Sequence, residues 1–172
     1  MRMLFSAIIL LLSATFFPAS CQVDAAGAMQ AVLLVDGTQS VRMREVVAST
    51  KSRRGLATNK QYFMFEGPKA AIRLRTATPV FQFELDPALA DAVYLFRLDT
   101  QSDRREIRVA KGSGGLAELS LPKDHIIPTQ LEMLGDGQNS TKRYQIKPTV
   151  RLKPGEYCLS QDISVCFDFG ID

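Results

Sequence analysis

Two cysteines near the C-terminus are the residues whose type and spacing point most directly to chemistry. Cys158 and Cys166 are separated by seven residues, whereas the cysteines of a redox-active C-x-x-C pair are separated by two. Two thiols and the chain's single histidine cannot assemble a zinc site of the usual composition. The spacing therefore favours a disulfide, formed in an oxidising compartment, over a catalytic or metal-binding pair.

The residues around these cysteines predict a C-terminal hairpin with its tip at residues 161–163. Apolar residues alternate with each cysteine, so one face of the hairpin belongs to the core and the cysteines lie together on the outer face. Closing so short a loop stabilises the fold by about 2 to 3 kcal/mol on the chain-entropy model. Three pairs are predicted to face each other across the hairpin: Tyr157 with Phe167, Cys158 with Cys166, and Leu159 with Val165.

Enzyme signatures are weak in this chain. His125 follows Asp124, but adjacent strand residues point to opposite faces and no nucleophile motif accompanies them, which favours a surface or loop histidine. The segment from Gly112 to Ala117 matches G-x-G-x-x-A, yet the alternating residues that follow it end at Pro122, so no helix is available for a pyrophosphate. The sequence predicts a non-enzymatic protein without cofactor or metal, although the paired carboxylates of a hydrolase leave no sequence signature.

Basic residues are concentrated in one part of the chain. Nine lysines and arginines lie between residues 42 and 75, against two glutamates. If the strands that carry them are neighbours, they form a face suited to a polyanion such as an anionic envelope glycan. The alternative is an ordinary solvated face with a basic loop. The candidate polyanion-binding residues are Arg42, Arg44, Lys51, Arg53, Arg54, Arg73 and Arg75.

Short strands are the elements that must position these residues. In residues 80–85, phenylalanine and leucine alternate with glutamine and glutamate, as in a half-buried strand. Segments 92–99 and 105–110 alternate in the same way and are joined by polar turn residues, which predicts a hairpin. Further strands are predicted at 30–36, 40–47, 62–66, 70–76, 116–121, 129–134 and 143–148.

Turn residues separate these segments, and no long helical period lies between them. This pattern of short strands and turns predicts an all-β fold, an antiparallel β-sandwich of the immunoglobulin-like type or a related barrel. Residues 86–91 are the one place where a helical turn is expected. Residues 49–60, which are polar and basic without periodicity, are predicted to form a flexible loop.

The N-terminus has the pattern of an export signal. Arg2 precedes a run of apolar residues from 4 to 17, too short to span a bilayer comfortably. Cleavage before Ala26 would remove residues 1–25 and leave 26–172 as a single β-sandwich domain. The alternative is lipidation of Cys21, because Ala19-Ser20-Cys21 resembles a lipobox, although Pro18 stands where leucine is usual. The predicted location is periplasmic or extracellular, or at the membrane as a lipoprotein.

The C-terminal motifs add a resemblance. Pro154-Gly155-Glu156-Tyr157, followed by a last strand that ends in Phe-Gly-Ile-Asp, is similar to the ending of a set of uncharacterised exported bacterial β-rich proteins, and the segment DRREIRV from 103 to 109 resembles the same set. The resemblance covers residues 69–172. It implies a sandwich-like, non-enzymatic envelope domain and supplies no catalytic residues.

The leading interpretation is therefore an exported, non-enzymatic binding or structural module of the cell envelope. One alternative is an inhibitor-like or accessory protein that binds an extracellular enzyme or secretion component through an edge strand or loop. A second is a hydrolase without recognisable motifs. The expected partner is an envelope glycan or a protein; nucleic acid is not expected, because export takes the domain away from it, and a membrane is expected only through lipidation at Cys21.

Overall fold

A computed structural model describes residues 29–36, 39–54, 59–112 and 120–172, which form two β-sheets. Along the chain the strands are β1 (Gln30–Asp36), β2 (Gln39–Arg42), β3 (Glu45–Val47), β4 (Ser49–Arg54), β5 (Asn59–Glu66), β6 (Arg73–Leu74), β7 (Val80–Leu85), β8 (Tyr94–Thr100), β9 (Arg104–Gly112), β10 (Ile126–Ile127), β11 (Thr129–Asp136), β12 (Lys142–Pro148), β13 (Gly155–Ser160) and β14 (Val165–Ile171).

Within the described residues, the smaller sheet runs in the order β11-β12-β7-β1-β2 and the larger in the order β3-β14-β13-β8-β9-β5-β4. All of these pairings are antiparallel. Two short strands complete the larger sheet: β10 pairs with β8, and β6 runs parallel to β14. The predicted antiparallel β-sandwich is confirmed, with the larger sheet curled into half a barrel.

Two contacts demonstrate the curl of the larger sheet. Its first and last strands, β3 and β4, are consecutive in the chain and separated only by Ala48, whose backbone N–H donates to the carbonyl of Ser164 at 2.8 Å. The side chains of Arg105 on β9 and Asp168 on β14 form a buried ion pair, although two strands stand between theirs in the sheet. A flat sheet would hold these two side chains far apart, since neighbouring strands are spaced about 4.8 Å.

The curl creates two apolar clusters on opposite faces of the same strands. The first lies between the sheets and contains Phe81 from the smaller sheet and Leu159 from the larger. The second lies inside the curl and is built only from the larger sheet, with Phe65 and Ile107 among its fully buried members. Strand alternation supplies both clusters, because successive side chains of β8 and β13 point to opposite faces.

The C-terminal hairpin has a different register from the predicted one. Leu159 lies opposite Phe167 and Cys158 opposite Asp168, so the strands are displaced by two residues from the predicted pairing. The predicted disulfide is confirmed, but it runs diagonally between Cys158 and Cys166, with 5.5 Å between their Cα atoms. Both cysteines are fully buried in the cluster inside the curl, so the prediction that they lie on an outer face is wrong.

Several predicted local elements are confirmed. A 3-10 helix at Pro87–Ala92 replaces the expected helical turn, and the Asp86 carboxylate accepts from the backbone N–H of Ala88 at 2.9 Å. Strand β7 matches its predicted bounds and its alternating burial. The predicted hairpin of β8 and β9 forms at its turn, where Thr100 lies opposite Arg105.

Other predicted bounds are corrected. The loop predicted at 49–60 contains all of β4 and the start of β5, and residues 55–58 lie outside the described residues. The single strand predicted at 40–47 divides into β2 and β3, which belong to different sheets. Of the strand predicted at 70–76 only Arg73–Leu74 forms, and the one predicted at 116–121 falls mostly on residues that are not described.

Candidate functional site

Basic side chains converge on the outer face of β4, β5 and β9. The register places Lys51 opposite Tyr62 and Arg53 opposite Lys60, and Tyr62 in turn lies opposite Arg108 on the next strand. Residues that are directly opposite project from the same face of a sheet. We call this surface the basic face; its cationic members are Lys51, Arg53, Lys60, Arg104 and Arg108.

Tyr62 is at the centre of the basic face. The guanidinium carbon of Arg53 lies 4.7 Å from the centroid of the Tyr62 ring, within cation–π range. Beyond the ring, Nη2 of Arg53 is 3.5 Å from Oε2 of Glu106 on β9. The Arg53 side chain thus crosses β5, and this contact fixes an otherwise flexible cation against the sheet.

Glu106 is the buried acidic residue of this face, with its side chain only 5% exposed. Arg104 Nε donates to it at 2.8 Å and the amide of Gln101 at 3.4 Å. The hydrogen bond to Glu106 raises the pKa of Arg104 above its usual value. Because Glu106 is already paired with Arg53 and Arg104, it does not neutralise the rest of the face.

Lys51, Lys60 and Arg108 make no ion pair among the described residues. Lys60 also lies directly opposite Arg53, and like charges in opposite positions on neighbouring strands repel. An anion bound between them would remove that repulsion. Three positive charges of the basic face therefore have no ion-pair partner among the described residues.

The structure brings only some of the predicted basic residues together. Lys51 and Arg53 belong to the basic face, and Arg54 is on the same strand, although its side chain is not described. Arg73 is held by Glu156 and Asp172. The remaining three, Arg42, Arg44 and Arg75, are exposed on other segments.

Sequence reasoning counted Lys60 among the nine basic residues between 42 and 75 but did not join it with Tyr62 and Arg108 in one site. The alternation of charged and apolar residues in 104–110 is visible in the sequence and places Arg104, Glu106 and Arg108 on one face. Strand β4 could not be predicted, because residues 49–54 are polar on both faces and show no alternation. Without β4 and its pairing with β5, the cations of β4 could not be placed beside those of β9.

A second site is a cleft of about 290 Å³ at the end of β8. His125 projects into it with its Nδ1 atom 2.9 Å from the carbonyl oxygen of Arg97 and its Nε2 atom 3.9 Å from a carboxylate oxygen of Asp99. The predicted surface histidine is thus half-buried and placed by Arg97 and Asp99, which the sequence did not connect with it. The lining residues are Arg97, Leu98, Asp99, Thr100, Asp124, His125 and Gly155.

An imidazole beside a carboxylate is an arrangement that general bases use, and it bears on the hydrolase alternative. Nucleophilic catalysis also needs a hydroxyl or thiol within hydrogen-bond reach of that base. Thr100 lines the cleft, but among the described residues no hydroxyl group is hydrogen-bonded to His125. The cleft is lined mostly by polar and charged residues.

The other predicted sites are placed as follows. Cys158 and Cys166 are joined and buried, which is compatible with an oxidising compartment. Cys21 and residues 1–28 lie outside the described residues. Within the described ranges, no three histidine, cysteine, aspartate or glutamate side chains gather in a way that could hold a metal ion, and no helix there is long and apolar enough to cross a membrane.

Comparison with known proteins found no match to this chain among family models, curated proteins or solved structures.

Proposed function

We propose that this protein is an exported, non-enzymatic binding module of the cell envelope whose ligand is an anionic polymer held on the basic face. The observation that carries the proposal is the group of Lys51, Lys60 and Arg108 around Tyr62, on an outer sheet face and without ion-pair partners among the described residues. Cations on one face raise the local concentration of a polyanion and bind it with strong salt dependence.

The supporting arguments come from the neighbouring contacts. Arg53 is already fixed over Tyr62, so a ligand that meets it loses little side-chain freedom on binding. Strands that are hydrogen-bonded on both sides, as β5 is by β4 and β9, hold the cations at fixed spacings of about 5 Å across the sheet. The buried disulfide supports an oxidising, exported location for such a ligand.

The experiment is a sedimentation or surface-binding assay of the disulfide-bonded protein on purified lipopolysaccharide and on purified cell wall. The test variant carries Lys51→Gln, Lys60→Gln and Arg108→Gln. The matched control carries Arg42→Gln, Arg44→Gln and Arg75→Gln, which removes the same charge from exposed residues elsewhere. We expect the test variant to bind at least about tenfold more weakly, and the control to change by less than about threefold.

Equal losses in the two variants would contradict the proposal, because they would mean that net charge alone drives adsorption. Binding that does not weaken between low and high salt would contradict it as well, since ion pairs at an exposed face are screened. Because Lys60→Gln removes a repulsion with Arg53, the test variant is expected to fold normally, and far-ultraviolet circular dichroism checks this.

The accessory-protein alternative is favoured by one feature, the edge of the smaller sheet that β11 forms. Strand β11 pairs only with β12 among the described residues, and its consecutive residues Met133 and Leu134 are exposed, 60% and 42% accessible. An extended segment of a partner protein could add to this edge as a strand. Met133→Lys should then abolish capture of a partner from an envelope extract while leaving lipopolysaccharide binding unchanged; the reverse pattern favours the basic face.

A further inference from the structure

The cleft at the end of β8 contains two hydrogen-bond acceptors that face each other without a donor between them. The carbonyl of Arg97 can only accept, so Nδ1 of His125 must carry the proton that joins them. In the neutral ring Nε2 is then an acceptor, and it lies 3.9 Å from Oδ1 of Asp99, which is also an acceptor. That distance is too long for a hydrogen bond, but a single N–H donor group can reach both atoms at about 2.9 Å.

A donor group that lacks an acidic partner lies two residues earlier on the same strand, at Arg97. The guanidinium of Arg97 donates from Nη2 to the carbonyl of Pro154 at 3.3 Å, and it has no carboxylate partner among the described residues. Gly155 leaves the space in which this group lies, because a Cβ atom there would come within 3.1 Å of Nη2. The positive φ of Gly155, 154°, also favours glycine at this position. Arg97 is thus positioned with N–H groups left for an acid.

From the acceptor pair of His125 and Asp99 and from the guanidinium of Arg97, we propose that the cleft binds a small zwitterion of the α-amino acid class. The ammonium group donates to Asp99 and to Nε2 of His125, and the acid group accepts from Arg97. This assignment is independent of the anionic polymer proposed for the basic face.

Size and spacing favour a molecule of this class. Arg97 and Asp99 are two residues apart on one strand, so their side chains leave the same face of the sheet, and both line this one cleft. A ligand that meets both must present its amine and its acid close together, as an α-amino acid does. A cleft of about 290 Å³ is at the small end of ligand pockets, which suits a free amino acid better than a chain.

The charged groups that line the cleft match the two ends of such a ligand. Asp99 and Asp124 attract an ammonium group, and Arg97 attracts an acid group.

The test is an NMR titration of the isotopically labelled, disulfide-bonded protein with alanine. The comparison ligands are propylamine, which lacks the acid group, and propionate, which lacks the amine. We expect alanine to shift the amide signals of Arg97, Asp99 and His125 and to saturate. Each one-sided ligand should bind at least about tenfold more weakly, the loss expected for one charged hydrogen-bonding group. Arg97→Gln and Asp99→Asn should each weaken alanine binding by a similar factor.

Asp91→Asn is the matched control, since it removes one carboxylate from the exposed surface of the 3-10 helix. It should leave the affinity for alanine unchanged. The assignment is overturned if alanine binds no better than propylamine, if the shifted signals lie outside the cleft, or if no saturable shift occurs up to 100 mM. Loss of binding in a variant counts only when its spectrum elsewhere matches that of the parent protein.

Discussion

At the scale of single residues, Arg73 explains why the two C-terminal motifs belong together. Its guanidinium forms an ion pair with Glu156 of the Pro-Gly-Glu-Tyr segment and another with Asp172, 2.5 Å away, after the Phe-Gly-Ile segment. Glu156 is buried and also accepts from the backbone N–H of Ala70 at 2.8 Å. One arginine on β6 therefore connects the beginning of the hairpin with its end.

Gly170 is the residue that lets Arg73 lie so close to β14. A Cβ atom at this position would come within 1.6 Å of Nη1 of Arg73, so any larger residue would push the guanidinium away from its partners. Phe169 packs on the other side of the strand, where its ring stacks on Tyr157 with centroids 5.6 Å apart. The motif residues of this chain thus have structural roles in packing and ion pairing.

The pair of Arg73 and Asp172 makes stability depend on pH in the acidic range. Hydrogen bonds from Arg73 lower the pKa of Asp172 below its usual value of 3.8. A carboxylate whose pKa is lower in the folded state stabilises the fold above its unfolded pKa, and this stabilisation is lost as the pH falls through the folded value. We expect Asp172→Asn to flatten the acid side of the stability curve, below about pH 4.

Urea unfolding at a series of pH values measures this effect. Arg73→Gln should flatten the same part of the curve and should lower stability further, because it also removes the ion pair with Glu156. The double variant should therefore resemble Arg73→Gln. Asp136, whose pKa is lowered by its hydrogen bond from Lys142, titrates independently and makes its own contribution in every variant. If the Asp172→Asn curve runs parallel to that of the parent protein, the ion pair does not form in solution.

At the scale of elements, the cysteine hairpin separates what alternation can predict from what it cannot. Alternation correctly placed Tyr157 and Leu159 on the face opposite the cysteines. It could not reveal that the cysteine face is also covered, because that depends on the curl of strands distant in sequence. The register also differed from the prediction, since turn geometry and not the apolar pattern sets a displacement of two residues.

Strand β4, which carries part of the basic face, could not be predicted from alternation. It was predicted as a loop because Ser49–Arg54 is an edge strand whose residues, where described, are exposed on both faces. Alternation arises only when one face is buried, so such a strand has no pattern to read. Lys51 and Arg53 were therefore predicted as candidates without any sign that they share a face with Arg104 and Arg108.

The position of the disulfide predicts how it responds to reductants. Both sulfurs are enclosed in the inner cluster, where the exposed fraction of each cysteine is 0%. Reductant should therefore reach the bond only when the hairpin opens, because thiol–disulfide exchange requires direct attack on sulfur. Thiol labelling after mild reductant treatment should find unreacted disulfide in the folded protein and rapid reduction in urea; equal rates in both would contradict the burial.

Removing the bond should cost about 2 to 3 kcal/mol in free energy of unfolding, the chain-entropy value for a loop of this length. The variant Cys158→Ala with Cys166→Ala measures this loss by urea unfolding. Ligand binding by the basic face should be retained, since no cysteine lies on that face. Loss of binding with an intact fold would instead connect the disulfide to the site.

At the scale of the whole molecule, the two apolar clusters share a wall. Strand β8 contributes Leu95 to the cluster between the sheets and Phe96 to the cluster inside the curl, and β13 contributes to both in the same way. The buried ion pair between Arg105 and Asp168 connects β9 with β14 inside the curl. Neither cluster can lose its packing without exposing the other, so the described residues should unfold as one cooperative unit.

Two matched substitutions test this cooperativity. Ile146 belongs to the first cluster and Ile107 to the second, and both are almost completely buried. Replacing either by valine removes one methylene group, which destabilises by about 0.5 to 1.5 kcal/mol. Each variant should shift the whole urea transition to lower concentration, with the same midpoint by tyrosine fluorescence and by far-ultraviolet circular dichroism.

The double variant should show the sum of the two losses, because distant sites in one cooperative unit are additive. If the half-barrel were an independent unit, Ile107→Val would shift only part of the signal and a second transition would separate from the first. The basic face belongs to the half-barrel and the edge formed by β11 to the smaller sheet. A single transition would therefore mean that both candidate binding surfaces depend on the integrity of the same three shared strands, β8, β13 and β14.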